Sequence, residues 1–142
     1  MNKVLITGGA GYIGSILTEK LLENGYNVTV LDSLIYNQLS LLGFCHNKQF
    51  KFIHGDVRNE PLLKELVDSV DIIIPLAAIV GMPACKSYPQ VAIDVNYKHI
   101  VNVLKFSGKN KKIILPNTNS QYGSSTEIIT EESPFKPLSL YA

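Results

Sequence analysis

The residues best suited to chemistry stand near the start of the chain. They are Gly8, Gly11 and Gly14, within the run Thr7-Gly8-Gly9-Ala10-Gly11-Tyr12-Ile13-Gly14. The apolar triplet Val4-Leu5-Ile6 precedes the run, and Ile13, Ile16, Leu17 and Leu21 continue from it at helical spacing. Glycines between a strand and a helix form a turn that cradles the pyrophosphate of a dinucleotide. Gly8 permits the tight turn, Gly11 lets backbone approach the phosphates, and Gly14 lets the helix pack closely on the strand. The helix start, at Tyr12 and Ile13, offers unpaired N–H groups and the positive end of the helix dipole. Asp32 closes the next strand eighteen residues after Gly14, where a carboxylate can accept from both ribose hydroxyls of an adenosine. Ser33, Leu34 and Ile35 follow with no Lys or Arg for a 2′-phosphate, which favours NAD over NADP. Gly55-Asp56-Val57 comes at the same edge after a third strand, and Asp56 could accept from the adenine amino group. Alone that triplet is a weak signal, since Gly-Asp is common in turns.

These residues need a frame. Val28-Thr29-Val30-Leu31 reads as the second strand, Phe50 to Ile53 as the third, Asp71 to Ile74 as the fourth and Ile113 to Leu115 as the fifth. On the first helix, Ser15, Thr18, Glu19 and Glu23 form the face opposite the isoleucines and leucines, and Asn24-Gly25 ends it. A short helix is expected around Leu39 to Leu42. Asn59, with Pro61 just behind it, caps a helix carrying Leu62, Leu63, Leu66, Val67 and Val70. A long helix is expected from Gln90 to Ser107. Strands that are apolar on both faces and alternate with helices predict an α/β fold. The expectation is a Rossmann-type doubly wound parallel sheet of order 3-2-1-4-5 with helices on both faces.

The long helix carries more apolar surface than one sheet face needs. Ile93, Tyr97, Ile100, Val101 and Leu104 form one stripe, and Ala92, Val95, Val103 and Phe106 form another. A further helix or a partner subunit is expected over the second stripe, which opens the way to a homodimer through residues 90–107. Asn96 falls between the stripes, so its amide needs a specific partner, in a core network or near an active site.

The 142 residues fit a single domain with a real core; 46% are apolar, 18% are charged, and the net charge is +1. No basic face points to nucleic acid, and Lys109, Lys111 and Lys112 read as a solvated loop before a strand. Cys45 and Cys85 lack paired spacing and read as reduced thiols, and Cys45-His46 has no companion pair to make a metal site. His54 and His99 read as packing or surface residues. The run Ile72 to Met82, broken by Pro75 and Gly81, is too short to span a bilayer, and Val4-Leu5-Ile6 is no signal peptide. A cytoplasmic protein is expected, with no membrane partner.

Taken in order, the glycine turn, Asp32, Gly55-Asp56-Val57, Leu76-Ala77-Ala78, Asn96, Tyr122-Gly123 and Tyr141 resemble the extended short-chain dehydrogenase/reductase family. Within it the chain looks like the NAD-dependent nucleotide-sugar epimerases and dehydratases. The resemblance implies a cofactor site of Gly8, Gly11, Tyr12, Ile13, Gly14, Asp32, Asp56, Val57, Leu76, Ala77, Ala78 and Asn96. It implies that Thr118, four residues before Tyr122, hydrogen-bonds the sugar oxygen that loses its proton, with Asn119 and Ser120 beside the substrate. A hydroxyl that merely caps loop backbone is the plainer role, expected more of Ser120 than of Thr118. Tyr141 matches the first residue of the family's Tyr-x-x-x-Lys motif, so it would take a hydroxyl proton during hydride transfer to NAD, with C4 of the sugar the expected carbon. A free tyrosine, with a pKa of about 10, is a poor base, and a lysine one helical turn on favours the phenolate. That lysine would stand at position 145, beyond Ala142, and the family's sugar-nucleotide region would follow it. A truncated, inactive cofactor-binding domain is therefore expected. Dehydratases of the family carry Asp-Glu where this chain has Asn119-Ser120, which argues against a 4,6-dehydratase. The rival expectations are a regulatory or scaffold module without chemistry, or a related reductase, decarboxylase or dehydratase.

Overall fold

The computed structural model describes residues 2–126 and 128–142. Its centre is a five-stranded parallel sheet of order β3-β2-β1-β4-β5. The strands are β1 (Lys3–Thr7), β2 (Asn27–Asp32), β3 (Phe50–His54), β4 (Ile72–Pro75) and β5 (Lys112–Ile113). The expected order holds. The fifth strand is shorter than Ile113 to Leu115 suggests, although the Ile114 N–H still donates to the Ile73 carbonyl at 3.0 Å.

Side chains alternate across the strands, so the sheet separates two cores. Val4, Ile6, Val28, Val30 and Ile74 point to one face, with Ala10, Leu22 and Leu41. Leu5, Leu31 and Ile73 point to the other, against Leu63, Leu66 and Val67 of helix α2 (Glu60–Asp68) and Val103. Asn59 caps α2, its Oδ1 accepting from the Leu62 N–H at 3.2 Å. Lys111 departs from the solvated role expected of its cluster. Its Nζ donates to the carbonyls of Asp68 (3.0 Å) and Val70 (2.6 Å) and so closes the far end of α2.

Helix α1 (Tyr12–Glu23) is rotated from the expected orientation. The buried side holds Gly14, Thr18 and Leu22, while Ile13 and Ile16 are exposed. Gly14 sets the rotation: a Cβ there would lie 2.5 Å from the Gly9 Cα, so only a glycine lets the helix lie this close to the turn. Thr18 and Leu22 follow at helical spacing on the same side.

The expected long helix begins one residue earlier and is not uniform. It runs through α4 (Pro89–Ile93), a π-helical turn at Asp94–Lys98 and α5 (His99–Ser107). A further helix, α3 (Met82–Ser87), precedes it. Gly81, at φ +89, and Pro83 start α3 inside what looks from sequence like the end of an apolar run. The short helix of the β2–β3 connection is a 3-10 turn at Leu42–Phe44, later than expected. The stripe of Ala92, Val95 and Val103 is buried in the molecule, with Phe106 half-buried beside it. It is therefore the other stripe that lacks full cover, with Tyr97, Val101 and Leu104 exposed.

Candidate active site

At the carboxyl end of β1 the chain enters the glycine turn with Gly8 at φ +72. A Cβ on Gly8 would lie 2.6 Å from the Ala77 backbone, so the turn and the segment after β4 touch without side chains between them. The Leu76 N–H donates to the Thr7 carbonyl at 2.8 Å and fixes that contact. Gly11 caps α1 without any side-chain acceptor, which leaves the first helical N–H groups, at Tyr12 and Ile13, available to an anion. A pyrophosphate suits this cradle: Gly8 and Gly11 add no side chain to it, and no side chain caps the start of the helix.

Asp32 is buried beside the turn. Its Oδ2 accepts from the Ala10 N–H at 2.9 Å and its Oδ1 from the Leu34 N–H at 2.8 Å. Each oxygen keeps a second lone pair, so ribose hydroxyls would add to these bonds rather than replace them. The Gly55 N–H donates to the Asp32 carbonyl at 3.0 Å and brings Asp56 to the same edge. The Asp56 carboxylate already has a partner that sequence reading missed. Arg58 reaches it through Nε at 3.0 Å, Nη2 at 2.6 Å and its backbone N–H at 2.8 Å. The Arg58 side chain, aided by its backbone N–H, holds the Asp56 carboxyl below its ordinary range against the opposing effect of burial. The Asp-x-Arg spacing is the signal that could have disclosed this pair. Val57 points into the core, so only its backbone can face a ligand.

On the other side of the turn, Asn96 sits in the π-helical stretch. Its Oδ1 accepts from the Ile79 N–H at 2.8 Å and its Nδ2 donates to the Ile79 carbonyl at 2.9 Å. The amide thus has the specific partner expected of it: the backbone that continues Leu76-Ala77-Ala78. Beneath this loop His99 is buried, its Nε2 3.4 Å from Thr7 Oγ1, in the packing role expected. Burial lowers the His99 pKa to about 4, against weaker upward pulls from the Val95 carbonyl and the Asp56 charge.

Thr118 and Tyr141 belong to less regular chain. Thr118 Oγ1 accepts from the Ser120 N–H at 3.2 Å and starts the 3-10 turn Asn119–Tyr122. Between the two hydroxyls, the capping role thus falls to Thr118, the reverse of the expectation, because Thr118 stands at the N-cap with extended backbone. As acceptor in that bond, the hydroxyl retains its own proton as a donor. Asn119 and Ser120 line a cavity of about 490 Å³ with Tyr122, Gly123 and Thr130. Tyr141 lines a different one, of about 160 Å³, with Ala92, Asn96, Tyr97 and Leu140. The structure therefore gathers the cofactor candidates from Asp56 to Asn96 along one sheet edge and seats Tyr141 beside Asn96.

Residues 4–142 match the model of the NAD dependent epimerase/dehydratase family. The chain belongs to that family. A UDP-glucose 4-epimerase of Halalkalibacterium halodurans is 34% identical over 97% of the chain and 41% of its own length. A UDP-N-acetyl-alpha-D-glucosaminuronate decarboxylase of Bacillus cytotoxicus is 30% identical over 92% of the chain and 40% of its own length. Among solved structures, the UDP-glucuronic acid 4-epimerase of Bacillus cereus, in complex with UDP-glucuronic acid and NAD, superposes with a TM-score of 0.88 at 30% identity. That match covers 98% of the chain and 47% of the Bacillus cereus protein. The chain thus spans about half the length of these curated relatives. Among the described residues there is no cluster of metal-ligating side chains and no helix long and apolar enough to cross a membrane. Cys45 and Cys85 are unpaired, the first exposed and the second buried.

Proposed function

We propose that the chain is the NAD-binding part of a nucleotide-sugar epimerase. One observation carries the reading: the glycine turn, Asp32 and Gly55-Asp56 are hydrogen-bonded into one continuous edge that leaves an uncapped helix N-terminus at its centre. Asp32 accepts from the adenosine ribose, and the Asp56–Arg58 pair lies toward the adenine. Backbone at Gly11, Tyr12 and Ile13 holds the pyrophosphate. Asn96 fixes the Leu76-Ala77-Ala78 backbone along the remaining wall. NAD, when bound, accepts hydride from a sugar carbon, C4 in this reading, and returns it to the opposite face. Tyr141 takes the hydroxyl proton at its phenol oxygen and Thr118 hydrogen-bonds the same sugar oxygen. Asn119 and Ser120 belong to the substrate side.

The 30% identity to a decarboxylase supports a second reading, in which the same residues serve a different outcome at the sugar. The uncovered stripe of Tyr97, Val101 and Leu104 supports pairing with a second copy of the chain. The chain by itself is inactive in this proposal, as it spans about half the length of its relatives. Turnover of a UDP-sugar by the 142 residues alone would overturn that part. Calorimetric titration tests the cofactor. NAD should bind at least about tenfold more tightly than NADP, because a 2′-phosphate would meet the Asp32 carboxylate with no cation from Ser33 to Ile35. Equal or tighter NADP binding contradicts the role of Asp32.

A further inference from the structure

We infer that Ser40 is a positioning residue for the phosphate-facing turn, an inference that rests on the cofactor reading above. Ser40 lies in the β2–β3 connection, thirty residues from the turn, yet its Oγ donates to the Ala10 carbonyl at 2.7 Å. The Ala10 N–H donates to Asp32 Oδ2 at 2.9 Å. Two consecutive peptide planes are therefore fixed from outside the turn: Gly9–Ala10 by Asp32, and Ala10–Gly11 by Ser40. The second plane is the one that needs fixing. It is followed by a glycine, which has no side chain to resist rotation, and its N–H reaches only the Gly8 carbonyl at 3.2 Å. With the Ala10 carbonyl held, the Gly11 N–H stays on the Gly8 carbonyl, and the next N–H groups, at Tyr12 and Ile13, are left to the phosphates.

Ser40 can hold this carbonyl because its own place is secured. Leu41, next to it, is buried in the same core cluster as Ala10 and Val30. The connection is tied back at its start by the Leu34 N–H on Asp32 Oδ1. Ser40 itself is exposed, so removing its hydroxyl opens no core cavity. A purely structural role would therefore show in stability alone, whereas a positioning role shows in the pyrophosphate.

The test titrates the parent chain, Ser40→Ala and Ser40→Thr with NAD and with adenosine, which shares the nucleoside end but lacks phosphates. Ser40→Ala should weaken NAD about tenfold, the worth of one hydrogen bond, and leave adenosine unchanged. Ser40→Thr, which keeps the hydroxyl, should stay within about twofold of the parent, and both variants should melt within about 3 °C of it. The inference is overturned if Ser40→Ala binds NAD as the parent does, if adenosine weakens equally, or if threonine fails to restore binding in a folded chain. A parent chain that binds no NAD overturns the cofactor reading and this inference together; normal NAD binding by Ser40→Ala overturns only the inference.

Discussion

Around the glycine turn, the peptides of Gly8, Ala10 and Gly11 are held by Leu31, Asp32, Ser40 and Gly8, which come from three separate stretches of chain. Beyond β5, the chain is held mostly by near neighbours. Thr118 takes the Ser120 N–H, Ser139 the Ala142 N–H and Ser133 the Thr130 N–H. Longer ties among the described residues there include the Lys136 N–H on the Gln121 carbonyl at 2.9 Å, the tilted ring pair of Tyr122 and Phe135, and Tyr141 beside Asn96. One region is over-determined by distant contacts; the other rests mainly on local turns with a few longer ties. A residue in the first region serves the fold and the ligand together, while a residue in the second can change with little consequence for the fold.

Gly8→Ala would break the comparison most severely. The methyl would sit at φ +72, which costs a non-glycine residue about 1–2 kcal/mol, and would meet the Ala77 backbone at 2.6 Å. Backbone cannot swing aside as a side chain can, so the total loss should reach about 3 kcal/mol or more, with NAD binding abolished. Urea denaturation followed by circular dichroism measures it. A loss under about 1 kcal/mol would show that the turn is more pliable than its contacts suggest.

Acid should act on the same region. The folded His99 pKa, near 4, lies below the ordinary 6.5, so below pH 6.5 the unfolded chain takes up a proton that the folded chain refuses. Stability attributable to His99 is complete above pH 6.5 and falls as the pH drops toward 4, by roughly 3 kcal/mol in all. The Asp56 carboxyl, lowered chiefly by Arg58, adds a further loss only at more acid pH, because its ordinary value is already 3.8. Denaturation at a series of pH values reads the slope, and His99→Gln should flatten it between pH 6.5 and 4. A wild-type slope that persists in His99→Gln would assign it to another group.

The same contrast explains what the amino-acid sequence disclosed. Strand order, the glycine turn and the Asn59 cap were legible because each depends on local pattern: apolar strands, a strand–glycine–helix junction, a side-chain acceptor three residues from the N–H that donates to it. The rotation of α1 was not, because Gly14 seats the helix through a contact with Gly9 that outweighs the pull of Ile13 and Ile16 toward burial. The π-helical turn was not, as Asp94 to Lys98 contains neither Gly nor Pro to mark it. Arg58 on Asp56, Lys111 on the end of α2 and Ser40 on Ala10 are side chains satisfying groups that sequence spacing assigns elsewhere or not at all. The site was legible as a set of residue types; how the backbone holds them was not.

Thr118→Ala should have the smallest effect. It removes one acceptor at the start of a 3-10 turn, whose N–H, at Ser120, lies near solvent and can turn to water. A lost cap of this kind costs about 0.5–1 kcal/mol. Amide exchange distinguishes a local from a global loss: Ser120 should exchange faster while Ile6 and Val30, buried in the sheet, keep their protection. Thr118→Ser keeps the oxygen and should restore Ser120. If protection at Ile6 and Val30 fell by the same factor as at Ser120, the segment after β5 would be part of the cooperative core, and the division between an over-determined edge and a locally held one would not stand. If only Ser120 responds, Thr118 can be replaced to test its part in sugar binding without disturbing the NAD edge, a separation that no substitution at Gly8 or Asp32 allows.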